Sequence, residues 1–426
     1  MQPVKGMRDI LPEEKRVRDW VASRIRQSYE LYGFQPWETP ALERLDTLAR
    51  KGAGESLKDE IYCFTDKGGT EVAMRFDLTV PLARVMSQNP QLPKPFKRYE
   101  IAKVWRYENP QAGRFREFVQ ADADSIGSSG MAAEVDCMAA AIAALKNIGF
   151  KKFSVRVNNR KILNGYAEKI GVSDTASFFR ILDKVEKIGE AAAREELKKA
   201  GLSEKQVSSV FSFLKVRGTP QKILGAAMKE LQPYPEAVAG VDELETLFSL
   251  AKTAGIAKWL TIDLGLVRGL DYYTGTIFEI AAESGRNVGS IAGGGRYDKL
   301  IGLYSGRDVP AVGISLGFER ICEILKEEKR VSVSSLVYLA PVNDKVRNKV
   351  LLLAKKLRDS NIAAATDLNS RDLRKQFEYC NAAQIPFVMV VGEKELKSGK
   401  FTLRDMKTGK EVKSSLPALI KKLRPT

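Results

Sequence analysis

The chain has 426 residues, of which 44% are hydrophobic and 29% charged, a composition that supports folding and is too apolar for intrinsic disorder. This length exceeds what one hydrophobic core usually organises, so two or three domains are expected. Lys and Arg number 69 against 53 Asp and Glu, and the formal charge of +16 favours a polyanionic partner such as nucleic acid. A solvated surface that the charge keeps soluble is an equally good interpretation.

The residue types present exclude several kinds of chemistry. The absence of histidine rules out histidine-based triads and His-bound zinc, so catalysis must use carboxylates, Arg, Lys, Tyr, backbone amides or a magnesium ion with oxygen ligands. The four cysteines are far apart and form no C-x-x-C pair, which predicts neither a zinc cage nor disulfides. The sequence also lacks a P-loop, a signal-peptide pattern and a long apolar run, so we expect a cytoplasmic protein that does not enter the membrane.

Hydrophobic spacing divides the first part of the chain into a helix, a strand-rich stretch and a second helix. Apolar residues at helical spacing predict a helix over 13–32. Aromatic and β-branched runs with turn signals between them predict strands of an antiparallel sheet around 61–64, 71–77, 96–107 and 115–126. Small apolar residues then predict a helix over 132–145.

A change of composition predicts a helical insertion in the middle of the chain, where Lys, Glu, Ala and Leu dominate. Strand signals return near 260, and a helix with Ile321, Ile324 and Leu325 on one face follows. After a charged linker, strand and helix patterns alternate as βαβαβ, which predicts a separate α/β domain. The expected organisation is a first domain in two parts (1–160 and 259–328), a helical insertion (161–258) and a C-terminal domain (332–426).

The most informative segment is the predicted hairpin FKRYEIAKVWRYENPQAGRFREFVQADADSIG. Side chains alternate along a strand, so Gln120, Asp122 and Asp124 are expected on one face. Three arginines are expected at the mouth of the hairpin, where guanidinium groups are suited to phosphate: Arg106, Arg114 and Arg116. A solvated hairpin with cross-strand charge pairs explains the same pattern.

A second segment, AMRFDLTVPLAR, is predicted to place Arg75, Asp77 and Thr79 on one strand face that ends at Pro81. Asp77 is a candidate to hold a substrate ammonium group. A capping or turn role is the commoner use of such an aspartate, because its carboxylate readily accepts hydrogen bonds from nearby backbone amides.

Glycine-rich segments follow in the second half of the chain. DLGLVRGLDYYTGTIFEI combines Arg268 with Tyr272 and Tyr273, and it favours ligand binding because arginine beside glycine is poor core material. IAGGGRYDKLIG and PAVGISLGFER contribute Arg296 and Arg320, and Arg320 near a predicted helix start is suited to phosphate. A tight strand junction explains the triple glycine as well as nucleotide binding does.

Together, and in this order, these segments resemble histidyl-tRNA synthetases, a class II aminoacyl-tRNA synthetase family, over almost the entire chain. KGMRDILPEE resembles the family's opening segment, and GFQPWETPALE, the arginine-flanked hairpin and PAVGISLGFER resemble class II motifs one, two and three. LVRGLDYYTGTIFE resembles the histidine-specific signature and is the most specific string. The resemblance implies an α+β fold, in which an antiparallel-sheet catalytic domain with a helical insertion precedes an α/β anticodon-binding domain. It also implies a homodimer with GFQPWETPALE at the interface.

The resemblance further implies activation of L-histidine with ATP and transfer to the 3′-OH of the terminal adenosine of tRNA(His), without an editing domain. The residues that it implies for ATP are Arg106, Glu108, Arg114, Gly317 and Arg320. Those that it implies for histidine are Asp77, Thr79, Gln120, Asp124, Arg268, Tyr272 and Tyr273. Arg106, Arg268 and Gln120 are implied in catalysis, with Mg²⁺ held mainly by the ATP phosphates and with no zinc, haem or flavin.

Three alternatives stay open on the sequence. The first is a regulatory paralogue that binds histidine as a sensor subunit of an ATP-phosphoribosyltransferase. The second is a synthetase for another amino acid, and the third is a tRNA-binding module that has kept the fold but lost catalysis. The presence of Arg106, Arg268 and Arg320 argues against the first and third. The string LVRGLDYYTG argues against the second.

Overall fold

The computed structural model describes residues 1–50, 60–109, 115–268, 272–282, 289–327 and 337–423. The chain divides into two compact units, Met1–Arg330 and Val331–Thr426. Within the described ranges, no helix combines the length and apolar character that crossing a membrane requires.

The elements of the first unit are numbered in chain order. Its described strands are β1 (Gln35–Pro36), β2 (Leu42–Arg44), β3 (Cys63–Thr65), β4 (Glu71–Met74), β5 (Phe96–Trp105), β6 (Glu117–Ile126), β7 (Phe153–Asn159), β8 (Leu260–Ile262), β9 (Thr276–Ala282), β10 (Ser290–Arg296) and β11 (Ala311–Leu316). Its described α-helices are α1 (Pro12–Leu31), α2 (Leu45–Ala49), α3 (Thr79–Gln88), α4 (Ala132–Ile148), α5 (Arg160–Lys169), α6 (Thr175–Asp183), α7 (Val185–Ile188), α8 (Glu190–Lys199), α9 (Glu204–Leu214), α10 (Pro220–Leu231), α11 (Pro235–Thr253), α12 (Gly302–Ser305) and α13 (Phe318–Glu327).

A mixed sheet, antiparallel over most of its width, forms the centre of the first unit. Its described strands follow the order β1-β5-β6-β11-β10-β9-β7-β8, and only the edge pairs β1–β5 and β7–β8 are parallel. The long β5–β6 hairpin confirms the predicted hairpin. The strands predicted near 61 and 71 do not join this sheet. They form a separate three-stranded sheet with the short strand β2, in which β4 lies in the middle, and β2 has too few residues for a readable alternation.

Helices α1 and α4 cover one face of the large sheet and confirm the two predicted helices. Pro12 begins α1 in the first turn, where the missing N–H costs no hydrogen bond, and Val21 and Ile25 face the core. The Tyr29 hydroxyl donates to the Ala121 carbonyl of β6 at 3.2 Å. Ala121 and Ala123 are fully buried, so the alternate residues of β6 point to the opposite face.

The stretch from α5 to α11 is helical, and it separates β7 from β8 in the chain. Local signals begin several of these helices. Asn159, Asp174 and Ser203 each cap a helix by accepting a backbone N–H, and Ser203 and Gln206 form a capping box at the start of α9. These caps fix where the helices begin, which the composition of the segment does not show.

The second unit contains a smaller sheet, and its described strands are β12 (Val337–Pro341), β13 (Ala364–Thr366), β14 (Phe387–Val391), β15 (Lys400–Asp405) and β16 (Glu411–Ser415). Its described α-helices are α14 (Arg347–Asp359), α15 (Leu373–Ala382), α16 (Glu393–Ser398) and α17 (Leu416–Leu423). The order β13-β12-β14-β15-β16 begins with parallel neighbours and ends with antiparallel ones. The βαβαβ prediction for this region is confirmed.

A buried ion pair ties α4 to β10. The Glu134 carboxylate accepts hydrogen bonds from Arg296 Nε at 2.6 Å and Nη2 at 2.8 Å, and both side chains are almost fully buried. Arg296 therefore serves the core and does not line the cleft described below.

We expect Glu134→Ala to lower the free energy of unfolding by about 3 kcal/mol, because the buried guanidinium group loses its bidentate carboxylate and keeps only Asp298, at 3.1 Å, as an ion-pair partner. Urea denaturation of the full chain measures this loss. Glu195→Ala, which removes an exposed carboxylate paired with Lys198, is the control and should change the value by less than about 0.5 kcal/mol. Equal losses in the two variants would contradict a structural role for the buried pair.

Candidate active site

A cleft lies on the face of the large sheet opposite α1 and α4. It consists of two adjoining cavities of about 520 and 840 Å³. The cavities are continuous because they share these lining residues: Arg106, Glu108, Gln120, Tyr272, Tyr273, Gly293 and Ser315. The residues come from β6, β10 and β11 and from the loops that flank them, so the sheet brings distant segments of the chain together.

Three arginines line the smaller cavity, which we call the basic end: Arg106, Arg268 and Arg320. Arg106 donates from Nε to the Phe76 carbonyl at 3.0 Å, and its guanidinium group lies 5.1 Å from the centre of the Phe118 ring. Arg320 is in the first turn of α13, as predicted, and donates to the Ser290 carbonyl. Cationic groups beside a helix start suit a phosphate ligand.

Arg268 reaches the basic end by crossing a glycine of β10. Its Nη1 pairs with Glu279 at 2.6 Å, and a Cβ atom at Gly293 would lie only 2.3 Å from that nitrogen. The glycine is required here because any side chain would displace the guanidinium group. Gly317 lines the same cavity and donates its N–H to the Ile291 carbonyl at 2.7 Å. Glu108 lines both cavities, whereas Arg114 lies outside the described residues.

Glu319, which precedes Arg320, anchors α13 against the sheet. Its carboxylate accepts two hydrogen bonds from Arg18, each of 2.6 Å, and one from the Val119 N–H at 3.0 Å. Burial alone would raise the pKa of Glu319, but the bonds from Arg18 lower it overall. The carboxylate therefore stays ionised and fixes the turn that presents Arg320.

Three aspartates line the larger cavity, which we call the acidic end: Asp77, Asp122 and Asp124. Asp124 accepts a hydrogen bond from the Tyr297 hydroxyl and pairs with Nη2 of the fully buried Arg98 at 2.9 Å. A Cβ atom at Gly313, its partner on β11, would lie 1.9 Å from Asp124 Oδ1. The glycine thus provides the space that the carboxylate occupies.

The predicted strand face containing Asp77 and Thr79 is wrong. Strand β4 ends at Met74, and Thr79 begins helix α3, with Pro81 in its first turn. Asp77 Oδ1 accepts the Val80 N–H at 3.0 Å, which is the capping role that its sequence context favours. Proline in a first helical turn loses no hydrogen bond, so the same residue that ends a strand is compatible with a helix start. Both Asp77 and Thr79 nevertheless line the acidic end.

Burial dominates the protonation of the acidic end. The pKa of Asp122 is raised to about 7, with burial as the largest cause, a further contribution from the negative charge of Asp124, and opposition from Arg98. Burial also raises the pKa of Asp124, although Arg98 and the Tyr297 hydroxyl oppose it. Burial also raises the pKa of the half-buried Tyr272, so its hydroxyl keeps its proton.

Three further residues, which the sequence did not single out, hold or make room for Asp124: Arg98, Tyr297 and Gly313. Arg98 lies on the first strand of the predicted hairpin, opposite Asp124 in the observed register. The alternation of side chains predicts that Arg98 lies on a strand, but it does not predict that Asp124 lies opposite. That pairing depends on the register of the hairpin, which the loop length and both sheet faces determine. Tyr297 directly follows the triple glycine, and no local pattern distinguishes it from a core tyrosine.

Comparisons with known proteins agree with this architecture. A family model described as histidyl-tRNA synthetase matches residues 6–321, and one described as an anticodon binding domain matches residues 336–426. A histidine–tRNA ligase from Thermococcus kodakarensis is 37% identical over 417 residues, which cover 96% of this chain and 95% of the relative. One from Clostridium tetani is 39% identical over 426 residues, which cover 98% of this chain and 96% of the relative.

Two solved structures are similar along most of their length. Histidyl-tRNA synthetase from Nostoc sp. PCC 7120 has a TM-score of 0.87 at 31% identity, with 99% of this chain and 98% of that chain covered. An ATP phosphoribosyltransferase regulatory subunit/histidyl-tRNA synthetase from Bacillus halodurans has a TM-score of 0.76 at 25% identity, with 89% and 96% covered.

The antiparallel sheet and its arginine-lined cleft, together with matches of this extent, define a class II aminoacyl-tRNA synthetase. One family model covers most of the first unit, and the relatives cover nearly the whole chain. The chain belongs to the histidyl-tRNA synthetase family.

The pKa of Asp122 makes the stability of the chain depend on pH. Between the unfolded-state pKa of about 3.9 and the folded-state pKa of about 7, the folded chain holds a proton that the unfolded chain releases. The free energy of unfolding therefore falls as pH rises through this window. Asp122→Asn removes the contribution of this carboxyl group to the dependence, so we expect the variant to gain stability relative to the parent as the pH rises from 4 to 8.

Thermal unfolding without ligands, at several pH values across this range, measures the effect. Asp242→Asn makes the same chemical change on the exposed side of α11 and should follow the parent. A difference between Asp122→Asn and the parent that does not vary with pH would contradict the raised pKa.

Proposed function

We propose that this chain is a histidine–tRNA ligase. It converts histidine and ATP to histidyl-adenylate and pyrophosphate, and then transfers histidine to the 3′-OH of the terminal adenosine of tRNA(His). The observation that carries the proposal is the cleft with ends of opposite charge, in a chain that belongs to this family. The basic end suits the triphosphate, and the acidic end suits an ammonium group and a ring with N–H donors.

Adenylate formation needs no general base, because the substrate carboxylate is already ionised near neutral pH. A carboxylate oxygen attacks the α-phosphorus, and the bond to the β-phosphate oxygen breaks as pyrophosphate leaves. Arg106 and Arg268 neutralise charge at the α-phosphate, and Arg320 binds the γ-phosphate. Their contribution is alignment and electrostatic stabilisation, which the fixed hydrogen bonds of Arg106 and Arg320 support.

Magnesium is expected with ATP, and the donors in the cleft fit a loosely held ion. Among the described residues there is no group of three carboxylate, cysteine or histidine side chains that would form a protein-built metal site. Glu108, which lines both cavities, is the carboxylate best positioned to assist, so the phosphates would supply most ligands. Bound Mg²⁺ would neutralise phosphate charge.

Histidine fits the acidic end with its ammonium group toward Asp77, Thr79 and Gln120. Asp124 and Tyr273 bind the imidazole ring, and Tyr272 lines the pocket beside them. An amino acid without ring N–H groups would leave buried polar atoms unpaired, which costs enough to discriminate strongly without an editing site.

The excess of positive charge and the anticodon-binding domain support tRNA(His) as the macromolecular partner, and translation would occur in the cytoplasm.

A homodimer has support from the three-stranded sheet. Leu42 and Phe64 are 44% and 51% exposed, and their cross-strand partners on β4 are two residues apart, so both lie on one face. This face adjoins the GFQPWETPALE segment and offers an apolar surface to a second copy.

Amino-acid-dependent exchange of labelled pyrophosphate into ATP tests the activity. Each of the twenty amino acids is assayed separately, and we expect exchange with histidine alone. Arg268→Ala should reduce the rate by about 10²–10³, because it removes a charge aimed at the transition state. Arg374→Ala changes an exposed arginine of the second unit and is the control.

A different pattern would change the assignment. Exchange with another amino acid would overturn the histidine specificity. Histidine binding without exchange would favour a regulatory subunit such as the one named for the Bacillus halodurans structure.

Gly313→Ala tests whether the position of Asp124 sets the affinity for histidine. The added methyl group would overlap Asp124 Oδ1 and push the carboxylate out of place. We expect the KM for histidine to rise by about 10- to 100-fold, since a charge-assisted hydrogen bond is lost, while the KM for ATP changes little. Gly130→Ala, where a Cβ atom meets nothing within 4 Å, is the control. Equal effects on both substrates would contradict this local role.

A further inference from the structure

The acidic end contains more hydrogen-bond acceptors than donors. Gln120 Oε1 and Asp122 Oδ1 are buried and receive no hydrogen bond from any residue that the structure describes. Asp124 Oδ2 faces Arg98 as an ion pair but receives no hydrogen bond of good geometry. Buried oxygen atoms rarely stay without donors, so a ligand rich in N–H groups fits this end.

Carboxylates also outnumber guanidinium groups in the strand pair β5–β6 beneath the acidic end. Across the hairpin, Glu100 lies opposite Asp122 and Arg98 lies opposite Asp124. Arg75 pairs with Glu100 at 3.0 Å, and Arg98 pairs with Asp124. Glu100, Asp122 and Asp124 thus share Arg75 and Arg98, and Asp122 is the one of these three carboxylates that has no ion pair with either arginine.

Two further arginines, Arg106 and Arg180, line the acidic end. The titratable and polar side chains that interact with the charge of Asp122, lie opposite it or line the cavity around it are Glu60, Asp77, Thr79, Arg98, Glu100, Arg106, Glu108, Gln120, Asp124, Arg180, Tyr272, Tyr273, Tyr297 and Ser315. Of the arginines in this set, Arg98 lowers the pKa of Asp122, whereas Arg106 and Arg180 are not among the main influences on it. The raised pKa of Asp122 agrees with this imbalance, because a proton replaces the missing positive charge near neutral pH.

We propose that this site binds histidine with its ring in the imidazolium form, and that Asp122 is a specificity residue. One ring N–H donates to Asp124, and the other, which Tyr273 flanks, donates to Asp122 Oδ1. A neutral ring has one donor and one acceptor, whereas the imidazolium has two donors and a positive charge that can pair with Asp122. The inference rests on the proposed function, since it specifies how the same site holds its substrate.

The proton balance is closed by the site and the solvent. A neutral ring that enters the protonated carboxyl pair takes the pair's proton on its ring nitrogen. A neutral ring that enters the ionised pair, which predominates at pH 8, takes a proton from water, and an imidazolium that enters the protonated pair displaces the pair's proton to water. In each case the bound state contains two carboxylates and one imidazolium.

Nitrogen-15 NMR of ring-labelled histidine bound to the full chain tests the charge state. At pH 8 the free ring is neutral, because its pKa is about 6.5. We expect both ring nitrogens of bound histidine to show the chemical shifts of a protonated imidazolium. The distinct shifts of a neutral tautomer in the unmodified protein would overturn the proposal.

Asp122→Asn connects the charge state to this residue. We expect the variant to bind the ring in its neutral form and to bind histidine about 10- to 100-fold more weakly at pH 8, with ATP affinity unchanged. Asp242→Asn, on the exposed side of α11, should match the parent in both measurements. An imidazolium that persists in Asp122→Asn would overturn the role of Asp122.

An analogue gives an independent measurement on the unmodified protein. In 1,2,4-triazolylalanine the ring stays neutral across the neutral pH range, so we expect it to bind at least about 10-fold more weakly than histidine. Equal affinities would overturn the proposal. If the proposed function is wrong, no histidine-dependent pyrophosphate exchange will be observed. If exchange occurs but the bound ring is neutral, only the inference about the imidazolium is contradicted.

Discussion

The buried guanidinium group of Arg98 is the interaction on which the substrate end of the cleft depends. It is fully buried, pairs with Asp124 at 2.9 Å, lies 3.6 Å from Glu100 and donates to the Leu78 carbonyl at 2.9 Å. Without a cation here, the carboxylates of β5 and β6 would have to hold protons, because isolated buried charges are strongly unfavourable. Arg98 also joins the hairpin to the loop before α3, and thereby positions Asp77.

A division of charge along one sheet face follows from this arrangement. Arginines from three separate segments meet at the basic end, and aspartates from two segments meet at the acidic end. Gln120, Tyr272 and Tyr273 line both cavities and lie where the two ends join. An amino acid bound at one end and a triphosphate bound at the other would therefore bring the reacting groups together near these residues, which is how positioning contributes to rate.

Glycines make the cleft possible by leaving space on the central strands. Gly293 leaves room for Arg268, and Gly313 leaves room for Asp124. Gly294 lies between β9 and β11, where a Cβ atom would be 2.1 Å from the Gly313 carbonyl oxygen. The triple glycine of β10 thus fits both a tight strand junction and a ligand site, because close strand packing and ligand access both require residues without side chains.

The sequence by itself determined the features that depend on neighbouring residues. Helical spacing predicted α1, α4 and α13, and strand alternation predicted that Gln120, Asp122 and Asp124 share a face. These patterns repeat over a few residues and need no knowledge of distant partners. The motif strings predicted the family in the same way. Each string is a run of neighbouring residues, and the order of the strings can be read directly from the sequence.

Only the tertiary structure decided which distant residues meet. It paired Arg98 and Tyr297 with Asp124, held Arg268 by Glu279, and turned Arg296 into the core. It also converted the predicted strand at Asp77 into a capped helix start, because the choice between the two conformations depends on packing beyond the local sequence. Protonation at Asp122 depends on burial and on three separate strands, so no local pattern contains it.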